Sequence, residues 1–419
     1  MKIRGIPLRS VPRLLAPRCI SLLKSGDWLR PAGGDSEKST CGEAPVPLFQ
    51  QADLRLDRDL HVFLCVCDHY EPMWHRPGRH VQDARVERWV RDYPQSVDGI
   101  CDSAGRPPQH TFFYPSDEYD AEHVDLIAEL CREGFGDVEV HLHHRHDTSQ
   151  SLRDKLEDHL QVLHHRHGLL ETDATGRITY GFIHGNWAFD NSHPEGDWCG
   201  VNDEITILRE TGCYADFTMP AAPDSCQTTT VNSIYYATDD PHQPKSHDRG
   251  IRARVGRRPQ DDGLLMIQGP LAFDWSDRKW GLLPRLENGD LTGRRPASLH
   301  RLSLWTSAGV CVAGRENWRF VKLHTHGAQD ANTEMFLGGA MRRFHEDLRQ
   351  LADANRQLKY YYVTAREMAN LVHLAESGGP APLPSPFVEA GFAVSRSQAQ
   401  LGNAASEAQL RGSARRPCE

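Results

Sequence analysis

Residues 110–147 read HTFFYPSDEYDAEHVDLIAELCREGFGDVEVHLHHRHD. The run 110–114 is short, aromatic and apolar, residues 121–134 carry a helical pattern, and 138–142 is again short and apolar, so this stretch predicts strand, helix, strand. The second strand runs into His141, His143, His144 and His146 and ends at Asp147, four histidines within six residues. Residues that directly follow a strand of an α/β unit lie at the carboxyl edge of the sheet, where active sites of such folds gather.

The same alternation extends in both directions. Further buried strands are expected at 61–67, 180–184, 215–219, 264–268, 320–324 and 360–363, with helices between many of them. Leu152, Leu156, Leu160 and Leu163 recur at helical spacing, as do Phe336, Met341, Phe344, Leu348 and Leu351, so each stretch presents one apolar face. Thr364 followed by Glu367 reads as a capping box. Residues 232–319 have fewer helical signals and many Gly, Pro and Arg residues, and read as an insertion of loops and short strands. The expected fold is α/β, a mainly parallel sheet or barrel over residues 59–377. Residues 1–58 read as a linker or disordered extension, and 378–419, dominated by Gly, Pro, Ala, Ser and Gln, as a disordered tail.

The chain has 419 residues, 39% hydrophobic and 25% charged, which excludes a mainly disordered polymer. A formal charge of −9 argues against a nucleic-acid partner or an anionic membrane surface, and no apolar run approaches the roughly 20 residues needed to span a bilayer. The basic residues of the first thirty positions resemble a targeting segment, but Pro12, Arg13, Pro17 and Arg18 interrupt every apolar stretch, so the cytoplasm is expected. Eleven cysteines without paired CxxC spacing read as reduced, mostly buried thiols. The 23 histidines are the unusual feature.

Three polar groups follow predicted strand ends. Asp68, His69, Tyr70 and Glu71 follow 62–67, the His141 cluster follows 138–140, and His324 and His326 close the run from Phe320. Histidines with carboxylates suit a borderline divalent ion such as Zn, Co, Ni or Mn and leave positions open for water and substrate.

The Thr111-Phe112-Phe113 strand, the helix after it and the strand ending in the His cluster resemble the core of the polysaccharide deacetylase, or NodB-homology, family of carbohydrate esterases. The resemblance runs in element order from Val62 to Ala375. It implies a deformed (β/α) barrel of about seven parallel strands with the loop-rich insertion. It also implies one divalent metal ion, zinc before cobalt, nickel or manganese, and a carbohydrate substrate.

Carried onto this chain, the family's first motif makes Asp68 the catalytic base and His69 a metal ligand, where the family has two aspartates. The second motif makes His143 and Asp147 the remaining ligands, with His141 and His146 as alternates. The last motif makes His324 the general acid, with His326 as its alternate. Asn186 and Trp187 stand where the family has an Arg-Pro pair, leaving His184 to hold the base, and Asp216 falls in the fourth motif. The function this implies is metal-dependent removal of acetyl groups from N- or O-acetylated sugars. Two rivals remain: a metal-independent glycoside hydrolase using Glu71, Glu139 and Asp216, and a non-catalytic carbohydrate-binding relative.

Overall fold

The computed structural model describes residues 59–257 and 263–381; the extension 1–58 and the tail beyond 381 lie outside them. The strands are β1 (Leu60–His69), β2 (His110–Pro115), β3 (Gly136–Leu142), β4 (Glu171–Thr172), β5 (Ile178–His184), β6 (Cys213–Asp216), β7 (Ile234–Thr238), β8 (Gly250–Arg252), β9 (Gly263–Ile267), β10 (Ala272–Lys279), β11 (Leu283–Glu287), β12 (Trp318–Thr325) and β13 (Leu358–Tyr362). The α-helices are α1 (Arg79–Ser96), α2 (Ala121–Leu130), α3 (Ser149–Gln161), α4 (Glu204–Thr211), α5 (Leu299–Ser307), α6 (Asp330–Leu337), α7 (Gly339–Ala354) and α8 (Ala365–Glu376).

All eight strands expected from sequence are present, and they are the parallel ones. The main sheet follows the path β12-β1-β2-β3-β5-β6-β9-β7-β8, with β13 added to β1 and β4 to β5. Pairing is parallel from β12 to β9, while β7 and β8 are antiparallel. The path curls: Gly269, just past β9, donates to Met219 O, which also accepts from Lys322 Nζ of β12. No ladder joins β9, β7 or β8 to β12 among the described residues, so the sheet is mixed, large and mostly parallel, and strand pairing does not close the expected deformed barrel. Within residues 232–319, read from sequence as an insertion of loops and short strands, β7, β8 and β9 join the main sheet and β10 and β11 pair as a separate hairpin.

Alternation along each strand divides the core into two layers. On β1, Leu60, Val62 and Leu64 pack with Val86 and Trp89 of α1 and with Val124 and Ile127 of α2. Phe63, Cys65 and Cys67 face the other way, onto Met368, Leu371 and Val372 of α8. The expected capping box starts α8: Thr364 Oγ1 accepts from Glu367 N and Glu367 Oε2 accepts from Thr364 N. The apolar stripe expected over 336–351 is split at Gly338 into α6 and α7. Among the described residues seven cysteines are free thiols, and Cys101, which is disulfide-bonded, departs from the expectation of reduced thiols.

The same alternation corrects the role expected of Asp68. Strand β1 continues through His69 without a bend, so Asp68 falls in the α1-facing series and His69 in the α8-facing one. Asp68 is wholly buried; its Oδ2 accepts from His110 Nε2 at 2.8 Å and its Oδ1 from Gly327 N at 2.5 Å. Trp89 Nε1 donates to Gly327 O, closing a tie between β1, β2, α1 and the loop after β12. A Cβ on Gly327 would lie 2.0 Å from Asp68 Oδ2, so only glycine allows the approach. The carboxylate is an internal anchor on the far side of the strand from His69. Asp68→Ala should therefore lower the unfolding free energy by about 3 kcal/mol, since two buried donors lose their acceptor. Urea denaturation measures it, and a loss below about 1 kcal/mol would refute the anchor.

Candidate metal centre

Three strand ends carry a residue pair spaced by two: His69 and Glu71 at β1, His141 and His143 at β3, His324 and His326 at β12. Side chains two apart share a side of the strand. β12 lies beside β1 and β3 lies one strand beyond it across β2, so the three pairs converge. The ring centroids of His69 stand 4.7 Å from those of His141 and 4.8 Å from those of His326, and His141 is 4.6 Å from His143.

Glu71 is the hub. It is 3% exposed, and its Oε1 lies 3.3 Å from His141 Nε2 and 3.1 Å from His143 Nε2, while Oε2 lies 3.2 Å from His326 Nδ1. Burial opposes its charge, but the three rings that face its oxygens hold its carboxyl far below the ordinary range. The far nitrogens of two rings are fixed from behind. His141 Nδ1 faces the carbonyl of Ile183 at 3.1 Å, and His143 Nδ1 faces Asp117 Oδ1 at 3.2 Å. Burial pulls the His143 proton affinity down, yet the two flanking carboxylates raise its pKa to about 10. His69 is buried with Nδ1 unpartnered; burial, then the neighbouring His141 and His326, keep it neutral.

The cluster opens into a cavity of about 360 Å³ whose walls include Glu71, Asp117, Glu118 and His143, with Trp74 and Trp198 partly exposed at its rim. Asp117 and Glu118 stand on the tight turn Ser116–Glu118 that follows β2. Glu118 Oε2 accepts from Met73 N, and burial followed by the charge of Glu71 lifts its carboxyl to about 7.

Of the residues expected from sequence, His69, His143, His141 and His326 come together. Asp147 does not join them. It lies 3.2 Å from His144 Nδ1 and binds Lys155 Nζ at 2.7 Å through each oxygen, because the chain turns toward α3 after His143. His144 in turn meets Glu204 beside His184 and Cys199, a second buried group. There His184 Nδ1 accepts from Asn186 N, which places that ring's proton on Nε2; Glu204 also accepts from Asp190 N. His184 Nε2 is buried without a hydrogen-bond partner, so this is a second group of ligand-type side chains, and His184 holds no base. His146 projects to solvent near Asp197. His324 borders the cluster, 6.4 Å from His69 by centroids, but burial, then Lys322, His326 and Arg301, keep it neutral, the reverse of what a proton donor requires.

In the sequence Glu71 reads only as a glycosidase carboxylate, and no local signal marks Asp117 or Glu118. The spacing of Glu71 two residues after His69 is the signal that points to it. Asp117 is brought to His143 by the β2-β3 ladder across 26 residues, which no local pattern announces.

No family model matches the chain, and no curated protein matches it. Among solved structures it is similar to the 4-alpha-glucanotransferase from Thermococcus litoralis, with a TM-score of 0.39 and 10% identity. The match covers 75% of this chain and 40% of that one, so it spans less than half the length of that enzyme. A likeness this low transfers neither a residue nor an activity.

Asp216 lies apart from the cluster, tied to Thr218 N and Oγ1, and burial lifts its carboxyl to about 7. An acid with a raised native pKa weakens the fold as pH climbs from its unfolded value near 4 to its native one, because only the unfolded chain ionises there. Compared with Asp216→Asn, the wild-type chain should therefore lose up to about 4 kcal/mol of stability between pH 4 and pH 7. Parallel denaturation curves for the two proteins across that range would disprove the assignment.

Proposed function

We propose that the chain is a hydrolase working with a divalent ion held by Glu71, His141 and His143, and that it removes acetyl groups from acetylated sugars. The observation that carries the metal reading is the His141 ring. Its Nδ1 faces a carbonyl, which can only accept, so Nδ1 bears the proton and the neutral ring aims the Nε2 lone pair at a carboxylate oxygen. A lone pair facing a carboxylate is unfavourable unless a cation lies between them. His143 Nε2 also faces Glu71, and Asp117 stands behind its Nδ1, the carboxylate-histidine support typical of metal ligands.

A bound divalent ion supplies Lewis acidity and an activated water. The chain supplies the rest. The open cavity gives a substrate access to the edge of Glu71 and His143. Glu118, with one oxygen held by Met73 N–H, is the carboxyl placed on that wall to exchange a proton with a bound molecule. Trp74, partly exposed at the rim, presents an apolar ring suited to the face of a sugar, while the Trp198 ring is capped by the Arg145 guanidinium at 4.4 Å. Acetylated sugars as the substrate class rest on the sequence resemblance to polysaccharide deacetylases.

One observation favours the metal-free alternative: Glu71 and Glu118 share the cavity wall with carboxyls driven to opposite charge states, the pattern of an acid and a base cleaving a glycosidic bond. The two readings separate in one assay. The purified chain, supplied with zinc, cobalt or manganese and acetylated chito-oligosaccharides, should release acetate and stop when a chelator is added. His143→Ala should lower that rate by more than the roughly 10- to 100-fold that loss of an outer partner of a ligand brings. Shortened oligosaccharides formed in the presence of chelator would establish the glycosidase instead, and no turnover of either kind would sink the hydrolase reading.

A further inference from the structure

The two oxygens of Glu71 do not serve the same rings. Oε1 faces Nε2 of His141 and of His143, whereas Oε2 faces Nδ1 of His326. The ligand atoms form two triads, Glu71 with His141 and His143, and Glu71 with His69 and His326. Within each triad the ligand atoms lie within 4.8 Å of one another, and among the described residues no such group spans both triads. Two nitrogens bound to one zinc-sized ion stand at most about 4.2 Å apart, twice a bond of about 2.1 Å, so the spacing matches one ion to each triad rather than one ion to both.

We propose that Glu71 bridges two divalent ions, the first held by His141 and His143, the second by His69 and His326. The inference rests on the metal reading above and deepens it. His69 supports the second position independently of Glu71. It is buried, on the side of β1 that faces the cluster, and its Nδ1 has no hydrogen-bond partner, so a donor atom is present there without a proton donor to occupy it. His326 comes from β12, on the other side of β1 from β3, so the two positions are built from opposite flanks of the β1 end and meet only at Glu71. A carboxylate with each oxygen on a different ion is the arrangement used where two metals clamp an oxygen-rich substrate group between them. Imidazole and carboxylate together select borderline divalent ions, with zinc, cobalt, nickel and manganese in the class.

The test is metal stoichiometry on the full chain. The protein is stripped with chelator, reloaded with zinc, passed through a desalting column and analysed by plasma mass spectrometry. Manganese-loaded samples are examined in parallel by electron paramagnetic resonance for a spin-coupled pair. Two ions per chain and a coupled signal are expected. His326→Ala should fall to one ion and lose the coupling. His326→Gln, which keeps a hydrogen-bond donor for Glu71 but lacks the imidazole, should do the same and guards against misfolding of the alanine variant, with circular dichroism checking the fold of both. His143→Ala should also retain one ion. One ion in the wild-type chain, unchanged in either His326 variant, overturns the bridge and leaves the metal reading standing. Two ions retained in both His326 variants overturn it by placing the second ion elsewhere. No bound ion in the wild-type chain overturns both readings.

Discussion

A buried carboxylate sets the terms for the carboxyl edge of this sheet. Glu71 is almost withdrawn from water, and an isolated charge in that position would cost several kcal/mol, so the surrounding structure must answer it with donors or cations. Three imidazoles from two further strands surround it, and the far nitrogens of His141 and His143 face Ile183 O and Asp117. A histidine ring is well suited to this duty, since one nitrogen can be fixed by the scaffold while the other is presented to the site. The cluster is thereby prepared for a ligand of positive charge.

Placement of that carboxylate depends on a second one, three residues earlier and on the opposite side of the strand. Asp68 ties β1 to His110 of β2 and to the backbone at Gly327, and Gly327 follows His326 directly. One anchor therefore fixes both the end of β1, which carries His69 and Glu71, and the start of the loop after β12, which carries His326. Adjacent residues on one strand do unrelated work because the pleat sends them into separate layers. An assignment that gives Asp68 and His69 a shared metal site requires a bend that β1 does not make.

The cavity wall shows the same economy. The turn after β2 delivers Asp117 to the back of His143 and Glu118 to the open side, so one three-residue turn both positions a ring and offers a titratable carboxyl to whatever enters. Asp147 and the His144 group brace the neighbouring edge. Lys155 and Ser151 engage Asp147, Asp147 faces His144, and Glu204 receives His144 and Asp190, joining the start of α3 to the start of α4 beneath the rim.

Much of this was legible from residue order alone. Parallel strands covered on both sides read as continuous apolar runs, which is why all eight were found, and the capping box at Thr364 is a purely local signal. The i, i+2 pairs at 69 and 71, 141 and 143, and 324 and 326 were also visible, and alternation is enough to place each pair on one face. What sequence order could not decide is which pairs meet and which acid serves which ring. Asp147, four residues from His143, is its nearest acid along the chain on the downstream side, yet the turn into α3 carries it away, while Asp117 arrives through a ladder from 26 residues upstream. His326 reaches Glu71 across 255 residues because β12 pairs with β1. Local order fixes the face a side chain occupies; only strand order and register, set by burial of the whole sheet, decide what lies opposite it.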